Sequence, residues 1–123
     1  MKITRNYFLM LKNDSDKSSY NLAKALARII SEKKGEDIII FDLKDISPIT
    51  DYFVIATGLS DIHNKTIAEH LSEFEEPNHI EGLEGGGWIL LDYIDVIVHI
   101  FSKEAREFYG LERLWGDAPQ IKI

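Results

Sequence analysis

No cysteine occurs among the 123 residues. That absence excludes disulfides, thiolate nucleophiles, iron–sulfur clusters and every cysteine-ligated zinc site, and it permits a reducing compartment. Apolar runs are short as well. The longest, Tyr7 to Leu11 and Tyr52 to Ala56, hold five residues each, against about 20 for a membrane-spanning helix. Five apolar residues behind Met1-Lys2-Ile3-Thr4-Arg5, with no small-residue cleavage site, do not make a secretion signal, so the expected location is the cytoplasm. Histidines 63, 70, 79 and 99 include no His-x-x-x-His pair. His63 and His70 are two helical turns apart, ~10 Å, too far to share one metal shell.

What the chain does have is an apolar fraction of 45% and a net charge of −7. A domain of this size buries roughly 65–70% of the surface its unfolded form exposes, so one hydrophobic core suffices without staples. The charge is unevenly placed. Residues 1–34 carry eight basic and three acidic side chains, leaving six basic and eighteen acidic in the rest. An acidic body repels phosphate backbones and attracts a basic protein surface. Solubility alone is the other reading of that charge.

The chain divides into a basic N-terminal arm (1–18), one domain (19–119) and a short C-terminal tail (120–123). From Ser18 or Ser19 as N-cap, Leu22, Leu26, Ile29 and Ile30 recur at helical spacing until Lys33-Lys34-Gly35, with Gly35 as the terminating glycine. Ile38 to Phe41 and Tyr52 to Thr57 read as strands, broken apart by Ser47-Pro48. Ser60 or Asp61 caps a second helix with Ile67, Leu71 and Phe74 on one stripe, closed by Pro77. Strands at His79 to Glu81, Trp88 to Tyr93 and Asp95 to Phe101 follow, then a helix from Lys103 to Tyr109 stopped by Gly110. The expected fold class is therefore α/β, a mixed sheet of about five strands with flanking helices.

A hairpin turning at Tyr93-Ile94 would set Asp92 opposite Asp95, Leu90 opposite Ile97 and Trp88 opposite His99. Ile89, Leu91, Val96, Val98 and Ile100 then form a core face, since β-branched side chains pack well on a pleated surface. The other face mixes Trp88, Leu90, Ile97 and Phe101 with Asp92, Asp95 and His99. An apolar centre with ionisable groups around it has the anatomy of a protein-docking patch. Alternatively the arm covers this face through Phe8 and Leu11. Opposed aspartates repel, which favours solvent or a cationic partner over burial.

Catalysis finds little support. Metal-assisted transfer needs two or three converging carboxylates, and Asp92 with Asp95 lacks an obvious third. Gly58-Leu59-Ser60-Asp61 at a strand-to-helix junction has the form of a phosphate site, but one glycine and a serine describe most N-caps. Glu84-Gly85-Gly86-Gly87 lacks phosphate-loop spacing and reads as a flexible hairpin loop. His99 has no serine or cysteine nucleophile beside it and reads as an interface hydrogen-bonding group.

The segments Asp51 to Gly58 with Ser60-Asp61, Ile80-Glu81-Gly82, Trp88 to Tyr93, Asp95 to Phe101 and Arg106-Glu107-Phe108-Tyr109-x-Leu111-Glu112-x-Leu114-Trp115 together resemble the ribosomal silencing factor family, RsfS, also called Iojap or YbeB. The likeness covers roughly residues 20–119. It implies a nucleotidyltransferase-like fold without the catalytic carboxylates, no cofactor and no metal. It also implies binding to the large ribosomal subunit through ribosomal protein fourteen and steric exclusion of the small subunit. Carried over residue by residue, the resemblance marks Trp88, Asp92, Tyr93, Asp95 and His99 as partner contacts, with Trp88 as anchor. Glu104, Arg106, Glu107 and Tyr109 extend the same edge. For Tyr109 and Trp115 the alternative is that they pin the last helix to the sheet.

Three departures from the family's pattern stand out. Ile94 occupies the place of a glycine, and a β-branched residue resists the positive φ of tight turns. The stretch Glu75-Glu76-Pro77-Asn78 is short, so the second helix ends early or the third strand is stunted. The arm is long and basic, suited to touching ribosomal RNA or to neutralising its own body. Two other readings remain open: a metal-dependent nucleotidyltransferase using Ser60, Asp61, Asp92 and Asp95, and a module whose mixed face binds a second copy.

Overall fold

The computed structural model describes residues 15–123, with side chains from Ser18 onward. The arm assigned to residues 1–18, and with it Phe8 and Leu11, lies almost wholly outside those residues. Ten elements follow in the order α1 (Ser15–Glu32), β1 (Glu36–Asp42), β2 (Tyr52–Thr57), α2 (Asp61–Phe74), β3 (His79–Glu81), β4 (Trp88–Asp92), β5 (Val96–Phe101), α3 (Lys103–Tyr109), α4 (Leu111–Leu114) and β6 (Gln120–Ile121). Among the described residues no helix is long and apolar enough to cross a membrane.

The strands form one sheet in the order β3-β4-β5-β2-β1-β6. Its centre is the parallel pair β2 and β5, registered from Tyr52 with Val96 to Thr57 with Phe101; every other pairing is antiparallel. Tyr52-Phe53-Val54-Ile55-Ala56-Thr57 and Val96-Ile97-Val98-His99-Ile100-Phe101 can occupy the middle because they are nearly continuous apolar runs, suited to strands covered on both faces. The outermost strands are three and two residues long, which limits the unpaired edge available to another chain. The sheet has six strands, one more than the sequence pattern suggests. The extra one, β6, is drawn from the presumed tail, where Ile121 pairs with Ile40 and Gln120 with Phe41.

Helices α1 and α2 cover one face. Ala23, Leu26, Ala27 and Ile30 of α1 and Ile67, Ala68 and Leu71 of α2 pack on Ile40, Val54, Ala56, Ile89, Leu91, Val98 and Ile100. The first helix begins a turn earlier than expected. Ser18 and Ser19 thus lie inside it, and the buried Ser19 hydroxyl donates to Asp51 Oδ2 at 3.0 Å instead of capping. Its C-terminus is a Schellman turn in which Lys34, at φ 74°, takes the left-handed place expected of Gly35. Gly35 donates its N–H to Ile30 O and must lack a Cβ because one would collide with Ile30. In α2 the stripe includes buried Asn64 where Phe74, which is exposed, was expected. Ser60 is its N-cap, accepting from the His63 N–H, and both consequences of the short stretch before β3 occur: the helix stops at Phe74 and β3 has three residues.

The β4–β5 hairpin departs from the expected register by two residues. Trp88 pairs with Phe101, Leu90 with His99 and Asp92 with Ile97. A two-residue shift keeps every side chain on its expected face, because alternation has period two. The turn centres on Ile94 at φ 75°. Asp95 N–H donates to Tyr93 O at 3.0 Å across it, and Asp92 Oδ1 accepts from Ile94 N–H at 2.7 Å. The aspartate side chain thus stabilises a backbone shape that a β-branched residue disfavours. We expect Ile94→Gly to raise the unfolding free energy in urea by about 0.5–1 kcal/mol, the strain of a left-handed non-glycine less glycine's extra chain entropy. Unchanged or reduced stability would show that the turn stores no strain.

Candidate docking face

The face of the sheet opposite α1 and α2 carries three rows of side chains set by the strand registers. Asp92, Ile97, Phe53 and Phe41 form the first row. Leu90, His99 and Ile55 form the second, and Trp88, Phe101 and Thr57 the third. The C-terminal segment covers part of this surface. Ala105, Leu111, Trp115 and Ala118 pack with Phe41, Leu43, Ile55 and Phe101 into a second hydrophobic cluster. Phe101 is fully buried and His99 nearly so, so neither presents appreciable surface in the monomer. Among the described residues Leu90 and Ile97 belong to neither cluster and remain partly exposed. Phe53, registered beside Ile97, is half-buried too and joins the strip. Sequence reasoning missed it, although parity within β2 and a parallel partner would have placed it there.

Trp88 is half-buried in an aromatic group. Its ring centroid lies 4.5 Å from Tyr109, 4.9 Å from Phe101 and 5.9 Å from His99. Its indole N–H donates to His99 Nδ1 at 3.1 Å, which leaves the imidazole proton on Nε2. Among the described residues that nitrogen, though buried, has no hydrogen-bond partner. Burial pushes the His99 pKa down to about 4, so the ring stays neutral and anchors Trp88 from below. Tyr109 packs on Trp88 with the two rings tilted by 46° and is half-exposed, whereas Trp115 meets Phe53 edge-on at 5.9 Å and pins the C-terminal segment.

Two expected contact residues have internal tasks. The Tyr93 hydroxyl bonds to Glu75 O at 3.0 Å and lies 3.3 Å from Leu71 O, closing the end of α2. Burial, aided by Glu75, raises its pKa. Arg106 forms a two-pronged pair with Glu112, Nε to Oε1 at 2.8 Å and Nη2 to Oε2 at 3.2 Å, and donates from Nη1 to Thr57 Oγ1 at 2.8 Å. It therefore ties α3, α4 and the end of β2 together. Asp95 is exposed, but it does not oppose Asp92. Its carboxyl pKa is raised by partial burial and then by Asp51, whose backbone N–H donates to Asp95 O at 2.9 Å. Glu104 and Glu107 are exposed on α3, and Phe108 and Leu114 stand 79% and 72% exposed beside Tyr109 and Trp115.

The four residues of the metal-dependent alternative do not converge. Ser60 and Asp61 follow the C-terminal end of β2, whereas Asp92 and Asp95 lie beside its N-terminal end. A six-residue strand separates the two pairs by roughly 20 Å. Among the described residues no group of three or more histidines, cysteines and carboxylates could hold a metal ion. The Gly58–Asp61 junction is occupied by the protein itself. A Cβ at Gly58 would collide with Asn64 Oδ1, and Asn64 Nδ2 donates to Gly86 O at 2.7 Å, fixing the glycine loop to α2. His63 accepts from Leu59 N–H through Nδ1 and bonds to Lys33 O through Nε2 at 2.7 Å, joining α2 to the end of α1.

The neutrality of His99 has a pH signature. Its pKa is lower folded than unfolded, so the unfolded chain takes up the proton first as pH falls. The stabilisation is complete above pH 6.5 and declines to a floor below about pH 4. At 1.36 kcal/mol per pH unit, about 2 kcal/mol of the wild-type loss between pH 7 and 4.5 should be absent from His99→Gln in urea unfolding. Equal losses in the two proteins would refute the buried neutral ring.

The model of the family described as ribosomal silencing factor during starvation matches residues 16–123. A ribosomal silencing factor RsfS of Bacillus subtilis is 39% identical over 104 residues, spanning 80% of this chain and 88% of that one. One from Halalkalibacterium halodurans is 36% identical over 111 residues, spanning 86% and 95%. The chloroplastic protein Iojap of Arabidopsis thaliana is 32% identical over 114 residues, 89% of this chain and 48% of that one. Among solved structures, a protein from Chromobacterium violaceum superposes with a TM-score of 0.75 at 30% identity, covering 79% of this chain and 85% of its own. One from Bacillus halodurans gives 0.68 at 30%, covering 87% and 99%.

Proposed function

The chain belongs to the ribosomal silencing factor family, and from that premise we propose that it is a non-enzymatic cytoplasmic translational repressor. On this reading it holds the large ribosomal subunit through ribosomal protein fourteen and excludes the small subunit by occupying its place. The observation that carries the proposal is the partly exposed strip of Leu90, Ile97 and Phe53, the first two outside the core clusters and Phe53 at the margin of one. Trp88 and Tyr109 flank it on one side, and Asp92 and Asp95 on the other.

Apolar side chains that the monomer leaves partly wet gain from a partner at ~25 cal/mol per Å² of apolar area removed from water. The carboxylates around them favour a basic protein surface and speed its approach. Trp88 serves as the rigid anchor, held by His99 beneath and Tyr109 beside it. Glu104 and Glu107 lengthen the acidic rim along α3. Tyr93 and Arg106 contribute by holding the hairpin end and the α3–α4 corner in shape. Occlusion needs no turnover, so repression tracks occupancy. Self-association through the same strip would compete with the ribosomal partner.

Sedimentation with purified large and small subunits tests the proposal. The protein should travel with the large subunit alone, less so as salt is raised, because exposed charge pairs are screened. Leu90→Arg and Ile97→Arg should each weaken that binding by at least about 2 kcal/mol, roughly 30-fold, with the unfolding transition preserved. Wild-type affinity in both folded variants, or no association of the wild-type protein at moderate salt, would overturn it.

A further inference from the structure

A second apolar depression lies on the helical side of the sheet, between α2 and the edge strand β3. This groove of about 390 Å³ has Ala68 and Ile80 as its floor, Leu83 as one wall, and Glu69, Ser72 and Glu73 along its rim. Ile80 pairs with Leu91 of the core and therefore points to this side of the sheet. Leu83 is 42% exposed, yet its loop is fixed. Gly86 N–H donates to Gly82 O at 2.9 Å, the buried Asn64 amide donates to Gly86 O at 2.7 Å, and a Cβ at Gly82 would collide with Trp88 O. A wall already held in place costs a partner little ordering entropy. Strand β3 pairs with β4 alone, so the other side of its backbone offers N–H and C=O groups to an extended chain.

Charge selects the kind of chain. From Thr66 to Ser102 the sequence holds eight carboxylates and no lysine or arginine, and this stretch builds most of α2 together with β3, β4 and β5. Glu69 and Glu73 stand exposed on the rim of the groove, with Glu81 and Glu84 exposed beyond it. Such a surface repels a phosphate backbone and suits lysine or arginine side chains. The docking strip lies on the opposite face one strand away, since Leu90 pairs with Glu81 of β3 and Asp92 with His79. A partner seated on the strip has only the sheet edge to pass. We infer that the groove receives an extended, basic segment of a large-subunit protein, with its apolar side chains on Ile80 and Leu83 and its cations facing Glu69, Glu73 and Glu84. The partner then grips both faces of the acidic wing. Because β3 is three residues long, backbone bonds are few, and the groove with its carboxylates carries the selectivity. This inference rests on the docking reading for the source of the segment.

The photoreactive residue p-benzoylphenylalanine, placed at Leu83 in the full chain and irradiated with purified large subunits, should capture a ribosomal protein at an extended segment bearing lysine or arginine. Glu69→Lys with Glu73→Lys should abolish that capture and weaken large-subunit binding about 10-fold. Both side chains are exposed, so the unfolding transition should be preserved. The direction is diagnostic, because added positive charge alone would tighten association with ribosomal RNA. Leu83→Asp, which leaves α2 untouched, should weaken binding by a similar factor. Capture of RNA or of a second copy of this chain, no capture, or unchanged or tighter binding in both variants would each overturn the inference. If Leu90→Arg weakens binding while the groove variants bind as the wild type does, the docking reading stands without this one. If the wild-type protein does not associate with large subunits, both fall.

Discussion

The parallel pairing of β2 with β5 is the constraint on which the remaining structure depends. Two apolar strands of six residues, distant in sequence, meet in register from Tyr52–Val96 to Thr57–Phe101. Everything between them must then form a crossover: α2 on one face, and β3 and β4 returning along the outer edge of β5. Parallel strands need cover on both sides because their side chains are apolar on both. One side receives α1 and α2. The other receives the short helices α3 and α4 and the residues leading into β6, which reach only the part of the surface near Phe41, Ile55 and Phe101.

That unequal cover is the source of the candidate docking face. The second face of β4 and β5 carries the same kind of apolar residues as the core, yet Leu90 and Ile97 lie beyond the reach of the C-terminal segment. Binding surfaces of this type are core-like strips left open at one end, with a polar boundary that keeps them soluble. Here carboxylates form the boundary and an aromatic group stiffens the interior. A buried neutral histidine has a purpose in that setting. It accepts the Trp88 N–H, so the indole has a fixed orientation in the monomer, and on the docking reading that lowers the entropy cost of binding.

Several residues expected as contacts have partners within the fold itself. Tyr93 and Arg106 carry the polar groups expected at an interface, but their hydrogen bonds close the end of α2 and the corner of α3 with α4. His99 and Phe101 lie under the surface. A residue that shapes a binding face from beneath is as necessary as one that touches the partner, and sequence patterns alone do not separate the two. Phe53 shows the opposite case, a partly exposed residue in a strand that reads as uniformly buried.

Local chemistry in the sequence was sufficient for three of the four helices, the five longer strands and the faces of the strands, but not for α4 or β6. Alternation of period two assigns Ile89, Leu91, Val98 and Ile100 to one side and Trp88, Leu90 and Ile97 to the other whatever the pairing. Ser60 and Gly110 mark helix ends. Long-range geometry was not legible. The hairpin register slipped by two residues because Asp92 holds the turn at Ile94. Asp95 found Asp51 rather than Asp92. A two-residue strand emerged from an unpatterned tail, and Asn64 and His63 became ties between elements. Periodicity records which way a side chain points relative to its own backbone. Only the packing of distant segments decides what lies on top of it, and so which apolar residues stay partly exposed.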